Sequence, residues 1–562
     1  MTIATPLRNG SKIPGTRFRI ERCIGKGGSG FVYEAKPIGK AKGKSIAVKV
    51  FAKKKNFEHE KDFHNHVKGM RGLVRKLGIH GTKSEYPSIS YEYSSIGDLQ
   101  AYWRARGRRP FSVFQVGAIM RQLVTTTAAL HRRDFVHGDL KPANILVFED
   151  SKGFPNFNIA DVGSASKVRA RFGRPQVTGQ AKTNGQASDG YTDYFAAPEQ
   201  RRGDRAGKRS DIFSLGMLWF QLLVNELEPT TSGRPLGNWV LRVKSLPQGK
   251  FLVRALELCL AEFPDERFRD ANEMLDWILC LMGDWCEVIQ KAPDPQVVKR
   301  AEIRKRIRAT KLPWRVRHRI TRIEMLLVPP GKFQMGFGKV GVASPIHSVT
   351  ISRPFYIAAD AVSITEWRNV MRNDDQDRDP IGQGSGGPSM EPITMVSWGE
   401  CWEFCMTSLL SLPTEAQWEY ACGACVNWDT GPTYDYAIFA ENRIAEGYSQ
   451  WWFAQRMGHQ YIERKPNPIG LYDMLGLVDE WCYDIVPAVN ETTKCCPFYQ
   501  SCRNGVLDPL GPDLHSFSKR DFVERAVRGG NIFSSDTASH DRGSEHASGR
   551  YRFVGFRVVR NV

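Results

Sequence analysis

The sequence predicts an α+β protein of more than one domain, and three observations carry that expectation. Short β-rich segments (FRIERCIG, GFVYEAK, SIAVKVF) open the chain from Phe18 and give way to longer helical patterns over 113–132 and 210–226. Near Trp285 the pattern breaks into APDPQ, and from Glu324 the composition turns toward Gly, Trp and short strands. A chain of 562 residues is also too long for a single hydrophobic core.

These breaks predict a first domain over 16–285, a strand-rich lobe followed by a helical one. A basic linker of helical character is expected over 286–320, solvated rather than docked. A second, mixed and loop-rich domain is expected over 321–562, with a strong helix signal at 412–421 and another helix at 398–409. No internal repeat or extended low-complexity tract interrupts it.

With 41% hydrophobic and 25% charged residues the chain is of ordinary globular composition, which excludes disordered and fibrous classes. A formal charge of +19 favours acidic partners, but much of it lies in 299–319 and 169–208, without interleaved aromatics on which bases would stack. A nucleic-acid partner is therefore not expected. The N-terminal residues carry no apolar core before a small-residue cleavage site, and the longest apolar stretches fall short of the roughly 18–20 residues that cross a bilayer. No membrane span and a cytoplasmic location are expected, with the 12 cysteines reduced. The pair Cys422 and Cys425, and the cluster Cys495, Cys496 and Cys502, lack finger-like spacing and are read as thiols rather than zinc ligands.

The chemistry begins with Gly25-x-Gly27-x-x-Gly30-x-Val32 between two strands, where glycines let backbone N–H groups approach the phosphates of a nucleotide. Alone, this pattern is equally a glycine-rich hairpin turn. Ala47-Val48-Lys49 follows on the next strand, and a lysine there reaches the α- and β-phosphates. His137-Gly138-Asp139-Leu140-Lys141-Pro142-Ala143-Asn144-Ile145-Leu146 comes next, then Asp161-Val162-Gly163 and Ala197-Pro198-Glu199. Phosphoryl transfer needs a carboxylate that accepts the hydroxyl proton, and an Asn with a second Asp to hold magnesium; Asp139, Asn144 and Asp161 stand in that order.

Over about 18–285 these ordered motifs resemble the eukaryotic-like serine/threonine protein kinase family. The resemblance implies a bilobal protein-kinase fold, ATP and Mg²⁺ as cofactors, and transfer of the γ-phosphoryl group to protein Ser or Thr hydroxyls (EC 2.7.11.-). It assigns catalysis to Asp139, Lys141 and Lys49, magnesium to Asn144 and Asp161, and nucleotide binding to Gly25, Gly27, Gly30, Val32, Ala47, Lys49, Glu92, Tyr93 and Leu146. Glu92 and Tyr93 would form the adenine hinge; Val32, Ala47 and Leu146 would line its apolar slot. Asp211 and Arg267 match structural positions, and Asp-Leu-Lys-Pro-x-Asn, with Thr192, points to the serine/threonine subclass.

Three departures qualify the match. Gly138 replaces an arginine that, in many kinases, clamps an activation-loop phosphate. Val162 stands where Phe is usual. The acidic partner of Lys49 is ambiguous: the pattern EKDFHNHV places His66 where a glutamate is expected, leaving Glu58 and Glu60 as candidates. Without such a partner the domain becomes a nucleotide-binding pseudokinase scaffold, the alternative reading. The polar, basic segment 161–199 is expected to be mobile, with Thr178, Thr183, Ser188 and Thr192 as candidate autophosphorylation sites.

In the second half the anchors are Val328-Pro-Pro-Gly331, Leu412-Pro413-Thr414-Glu415-Ala416-Gln417-Trp418-Glu419-Tyr420, Asp479-Glu480-Trp481, Arg528-Gly529-Gly530 and Gly555-Phe556-Arg557. Together they resemble the formylglycine-generating enzyme, or sulfatase-modifying factor, family, a variant of the C-type-lectin fold. Its oxidising members look to a cysteine pair between the last two motifs to bind copper, and this sequence has no cysteine after Cys502. A non-oxidase sensing or recognition domain is expected, binding an unknown ligand or protein. The polar and aromatic stretch 531–553 would be its exposed surface, similar to the variable segment of proteins diversified by retroelements. Leu477 stands where an Asn is usual beside Glu480, so calcium is not assigned.

Overall fold

The computed structural model describes residues 6–39, 43–150, 153–167, 194–227, 239–336, 346–371, 391–424, 465–486, 506–509, 524–531 and 542–562. The chain divides into two compact units, Met1–Asp284 and Trp285–Val562.

The first unit opens with five strands, β1 (Phe18–Gly27), β2 (Gly30–Pro37), β3 (Ile46–Phe51), β4 (Lys76–His80) and β5 (Ser88–Glu92). They pair antiparallel in the order β1-β2-β3-β5-β4. Alternation along the strands gives the sheet two faces. Ile20, Phe31, Tyr33, Ala35, Val48 and Val50 join one buried cluster. Lys49 sits between Val32 of β2 and Ile89 of β5, and Ala47 lies opposite Tyr91, so these five side chains share the other face. Helix α1 (Lys54–His66) follows β3 and buries Phe57, Glu60, Phe63 and His64. The spacing 57, 60, 64 places three of these on one helical face.

The rest of this unit is mainly helical. Val113–His131 begins at a capping box in which Ser112 and Gln115 satisfy each other's backbone N–H groups. In Lys208–Val224 every residue from Ser210 to Leu223 is buried, so this is the central core helix. It stops at Asn225, whose left-handed backbone ends the helix. Ala271–Leu281 is capped by the Asp270 carboxylate, which accepts from the backbone N–H groups of Asn272 and Glu273.

The second unit is built on a five-stranded antiparallel sheet of Cys286–Gln290, Arg315–His318, Glu324–Val328, Phe355–Ala358 and Val559–Asn561, in that order. The stretch 286–320, expected as a solvated linker, is therefore part of this unit. Its anchors are sparse apolar residues among the Lys and Arg: Ile303 and Ile307, four apart on the helix Ala301–Ala309, and Trp314 with Val316, all at most 3% exposed. The basic character of the stretch masks those few buried positions. A second sheet runs Arg542–His546, Glu524–Arg528, Asp479–Val486 and Val554–Gly555. The helices Trp398–Ser408 and Glu415–Glu419 each start at a capping box, Ser397 with Glu400 and Thr414 with Gln417. No helix among the described residues is long and apolar enough to cross a membrane.

Candidate active site

Lys49 is 6% exposed, and its Nζ donates to Glu60 Oε2 and to Asp161 Oδ1, both at 2.7 Å. Burial disfavours the ammonium, but the two carboxylates outweigh it and raise the Lys49 pKa. Desolvation likewise acts upward on Asp161, yet the adjacent ammonium holds that carboxyl below its usual range. The partner of Lys49 is thus Glu60 and not residue 66. His66 lies on the exposed side of α1, bonded to the Asp62 carbonyl oxygen at 2.9 Å. The sequence signal for Glu60 was its place on the stripe set by Phe57 and Phe63: a charge on a face that must be buried needs a buried partner.

Asp139 lies beside Lys141, with Nζ 2.9 Å from Oδ2. Asn144 Nδ2 donates to the Asp139 carbonyl oxygen at 2.7 Å and to its Oδ2 at 3.0 Å, which leaves the Asn144 side-chain oxygen as an acceptor. This loop is fixed from behind by Asp211, fully buried, which accepts from the backbone N–H groups of His137 and Gly138, each at 2.8 Å, and from His131 Nε2 at 3.0 Å. Because Ala271 N–H donates to His131 Nδ1, the His131 proton sits on Nε2, facing Asp211. His137 accepts from Asp139 N–H and turns its other nitrogen to the Ala160 carbonyl oxygen at 3.1 Å. That bond ties the loop carrying Asp139 to the residue before Asp161. Asp161 itself has φ +52, a left-handed backbone that aims its carboxylate at Lys49.

The glycines of the first hairpin differ in what the fold asks of them. A Cβ at Gly30 would lie 2.0 Å from the Val50 carbonyl oxygen, so the close approach of β3 excludes any side chain. At Gly27 a Cβ would meet nothing within 4 Å, and at Gly25 only ordinary contact with Val32. Packing thus explains Gly30 and leaves Gly25 and Gly27 to another requirement. Val32 and Leu146 are half-buried and Ala47 is buried. The Glu92 carboxylate turns outward to Arg75 at 3.2 Å, and the Tyr93 hydroxyl accepts from Arg22 at 3.0 Å.

Two further expectations have clear geometry. Arg267 and Glu199 form a buried bidentate pair at 2.8 and 2.9 Å, with Ser210 Oγ donating to the same carboxylate at 2.7 Å. Gly138, where an arginine is usual, has φ +78 and gives its carbonyl oxygen to Gln200 Nε2 at 2.9 Å. Thr178, Thr183, Ser188 and Thr192 lie outside the described residues.

In the second unit the signature residues converge on one buried ionic network. Glu480 accepts from Trp418 Nε1 at 2.7 Å and from Arg557 Nε and Nη2 at 2.7 and 2.8 Å. Arg528 reaches Glu415 at 2.9 Å and Glu419 at 2.7 Å, Arg542 also pairs with Glu415, and Asp484 accepts from Glu415 N–H at 2.6 Å. These contacts tie the signature residues to one another within the unit. Cys401, Cys405, Cys422 and Cys482 are buried, and burial pushes all four thiols far up, away from the thiolate that binds copper. Among the described residues no group of three or more His, Cys, Asp or Glu is arranged to hold a metal ion. Of the expected recognition stretch, residues 531 and 542–553 are described; they are half-exposed or exposed, and His540 and Asp541 lie outside.

Residues 18–238 match the protein kinase domain family, and residues 314–562 match the sulfatase-modifying factor enzyme 1-like domain family.

The chain carries a protein kinase domain followed by a sulfatase-modifying factor enzyme 1-like domain.

The kinase domain is similar to serine/threonine-protein kinase PrkC of Bacillus subtilis, 30% identical over 222 residues that make up 39% of this chain and 32% of the relative. It is also similar to serine/threonine-protein kinase A of Synechocystis, 28% identical over 259 residues, 42% of this chain and 46% of the relative. The chain thus spans less than half the length of these curated relatives. Among solved structures, the Mycobacterium tuberculosis PknI kinase domain is 18% identical with a TM-score of 0.35, the match covering 49% of this chain and all of that one.

Proposed function

We propose that the chain is a serine/threonine protein kinase that transfers the γ-phosphoryl group of ATP to Ser or Thr hydroxyls of a protein substrate. The observation that carries the reading is the double contact of Lys49 with Glu60 and Asp161 beside the Asp139–Asn144 pair. The pseudokinase alternative rested on a Lys49 without an acidic partner, and Glu60 supplies one.

In this reading the hairpin backbone at Gly25 and Gly27 lies over the phosphates, and Val32, Ala47 and Leu146 border the adenine at Glu92 and Tyr93. Lys49, held by Glu60, neutralises the α- and β-phosphates. The side-chain oxygen of Asn144 and the Asp161 carboxylate are hard oxygen donors, which fits them to hold Mg²⁺. Magnesium, when bound, neutralises charge on the phosphate oxygens. Asp139 orients the substrate hydroxyl and accepts its proton as the hydroxyl oxygen bonds to the γ-phosphorus and the bond to the β,γ-bridging oxygen breaks, releasing ADP. Lys141, beside Asp139, stabilises the transferring group.

The second domain then senses a ligand or recruits the substrate without oxidising it; its signature residues are engaged in the core, and Cys401, Cys405, Cys422 and Cys482 are buried thiols. A ligand shifts the kinase only by favouring one arrangement of the chain over another. Phosphoamino-acid analysis after incubation with γ-labelled ATP and Mg²⁺ tests the reading: phosphoserine or phosphothreonine is expected, and phosphotyrosine alone, or nucleotide binding without transfer, contradicts it.

A further inference from the structure

The Lys49–Glu60 pair continues into a second layer. Tyr91 stands on β5 opposite Ala47, on the sheet face that carries Lys49, and its hydroxyl donates to Glu60 Oε1 at 2.6 Å. Lys49 takes the other oxygen, Oε2, at 2.7 Å, so each carboxylate oxygen has its own donor. His64, one helical turn after Glu60 on α1, brings Nε2 to 2.9 Å from the Tyr91 oxygen. Tyr91 has one proton and spends it on Glu60, so His64 must be the donor in the second bond. Its ring lies 5.4 Å from that of Tyr91 and is itself 7% exposed, which leaves it little freedom to turn.

We propose that Tyr91 and His64 are positioning residues that hold Glu60, and through it helix α1, in the arrangement that presents Lys49 to the nucleotide. The mechanism above uses Lys49 and Glu60 but asks nothing of Tyr91 or His64. A lone Lys–Glu contact fixes one oxygen and lets the carboxylate swing about its Cγ–Cδ bond. The Tyr91 hydroxyl removes that rotation, and His64 fixes where the hydroxyl points. Hydrogen-bond chains in a site of low dielectric are worth most when their donors and acceptors are matched, as the Lys49, Glu60, Tyr91 and His64 contacts are to one another.

The inference rests on the kinase reading for its catalytic consequence but not for its structural one, and two readouts separate them. The full chain is compared as wild type, Tyr91→Phe, His64→Leu, His64→Gln, Glu60→Gln and the Tyr91→Phe/Glu60→Gln double variant. Hydrogen exchange without nucleotide should rise roughly fivefold or more across residues 57–64 in Tyr91→Phe and His64→Leu, and stay unchanged in the helix Val113–His131. In steady-state transfer, kcat should fall roughly 5–20-fold in both, with a smaller change in KM for ATP; Tyr91→Phe should cost nothing further on the Glu60→Gln background. His64→Gln, whose amide keeps a donor at the right reach, should stay within about twofold of wild type. Unchanged exchange at 57–64 in Tyr91→Phe overturns the proposal, as does a loss that adds in full to that of Glu60→Gln. If wild type and Asp139→Asn both fail to transfer phosphate, the kinase reading falls while the exchange data still decide the role of Tyr91.

Discussion

Glu60 meets Lys49 across 11 residues of sequence with an N–O separation of 2.7 Å, in a site where both side chains are at most 7% exposed. The pair joins α1 to β3, and its other carboxylate oxygen is held by Tyr91.

Glu60→Gln keeps the shape and removes the charge. Lys49 retains Asp161, so the fold should survive with a loss of about 1–3 kcal/mol, while kcat/KM for phosphoryl transfer falls roughly 10–100-fold. Steady-state kinetics beside thermal unfolding checks both; wild-type kinetics in this variant would contradict the assigned partner.

Arg267 is the sole guanidinium bonded to Glu199 among the described contacts. Arg267→Ala leaves that carboxylate buried without a cation, beside Ser210 and its own backbone N–H, and should destabilise the first unit by ~3–5 kcal/mol, read as a lowered unfolding midpoint. Arg267→Lys should recover only part, because a lysine cannot make the bidentate contact.

Burial, with Lys76 and Lys49 adding to it, lowers the His64 pKa from 6.5 to about 4. The folded state therefore holds this imidazole neutral where the unfolded chain would protonate it. Its contribution is fully present above about pH 6.5 and is lost as pH falls toward 4, amounting to ~3 kcal/mol. Denaturant unfolding between pH 7 and pH 4 should show a steeper loss in wild type than in His64→Gln, which has no titrating group there. Equal slopes would contradict the assignment.

Cys23 is exposed on β1, whereas Cys401, Cys405, Cys422 and Cys482 are buried protonated thiols. Among these five, a maleimide should label Cys23 first in the folded protein and reach the other four only on unfolding. Prompt labelling of Cys401 or Cys482 by peptide mapping would contradict the buried core.

Much of the kinase site was legible because its chemistry is written in short motifs: Asp139 with Asn144, Asp161, and Lys49 on an alternating strand. The partner of Lys49 was less so: α1 carries Glu58, Glu60 and His66 on different faces, and the motif spacing points to 66, whereas the apolar stripe of Phe57 and Phe63 is what marks Glu60. Tyr91 and His64 carry no such mark; nothing local identifies a strand tyrosine and a helix histidine as neighbours. In the second half the motif LPTEAQWEY identified the fold, but its Glu415, Trp418 and Glu419 proved to be core residues bonded to Arg528, Arg542 and Glu480. The stretch 286–320 misled because its basic residues outnumber the Ile303, Ile307, Trp314 and Val316 that bury it.

The assignment of phosphoryl transfer is tested most directly by a single-turnover assay of the full chain with γ-labelled ATP, Mg²⁺ and a Ser/Thr-rich protein acceptor, run beside Asp139→Asn. Calorimetry on both proteins checks that each binds the nucleotide. Label should pass to the acceptor with wild type and fall by roughly 100-fold or more with Asp139→Asn at similar affinity. Equal transfer by the two proteins, or tight nucleotide binding with no transfer by wild type, would contradict it.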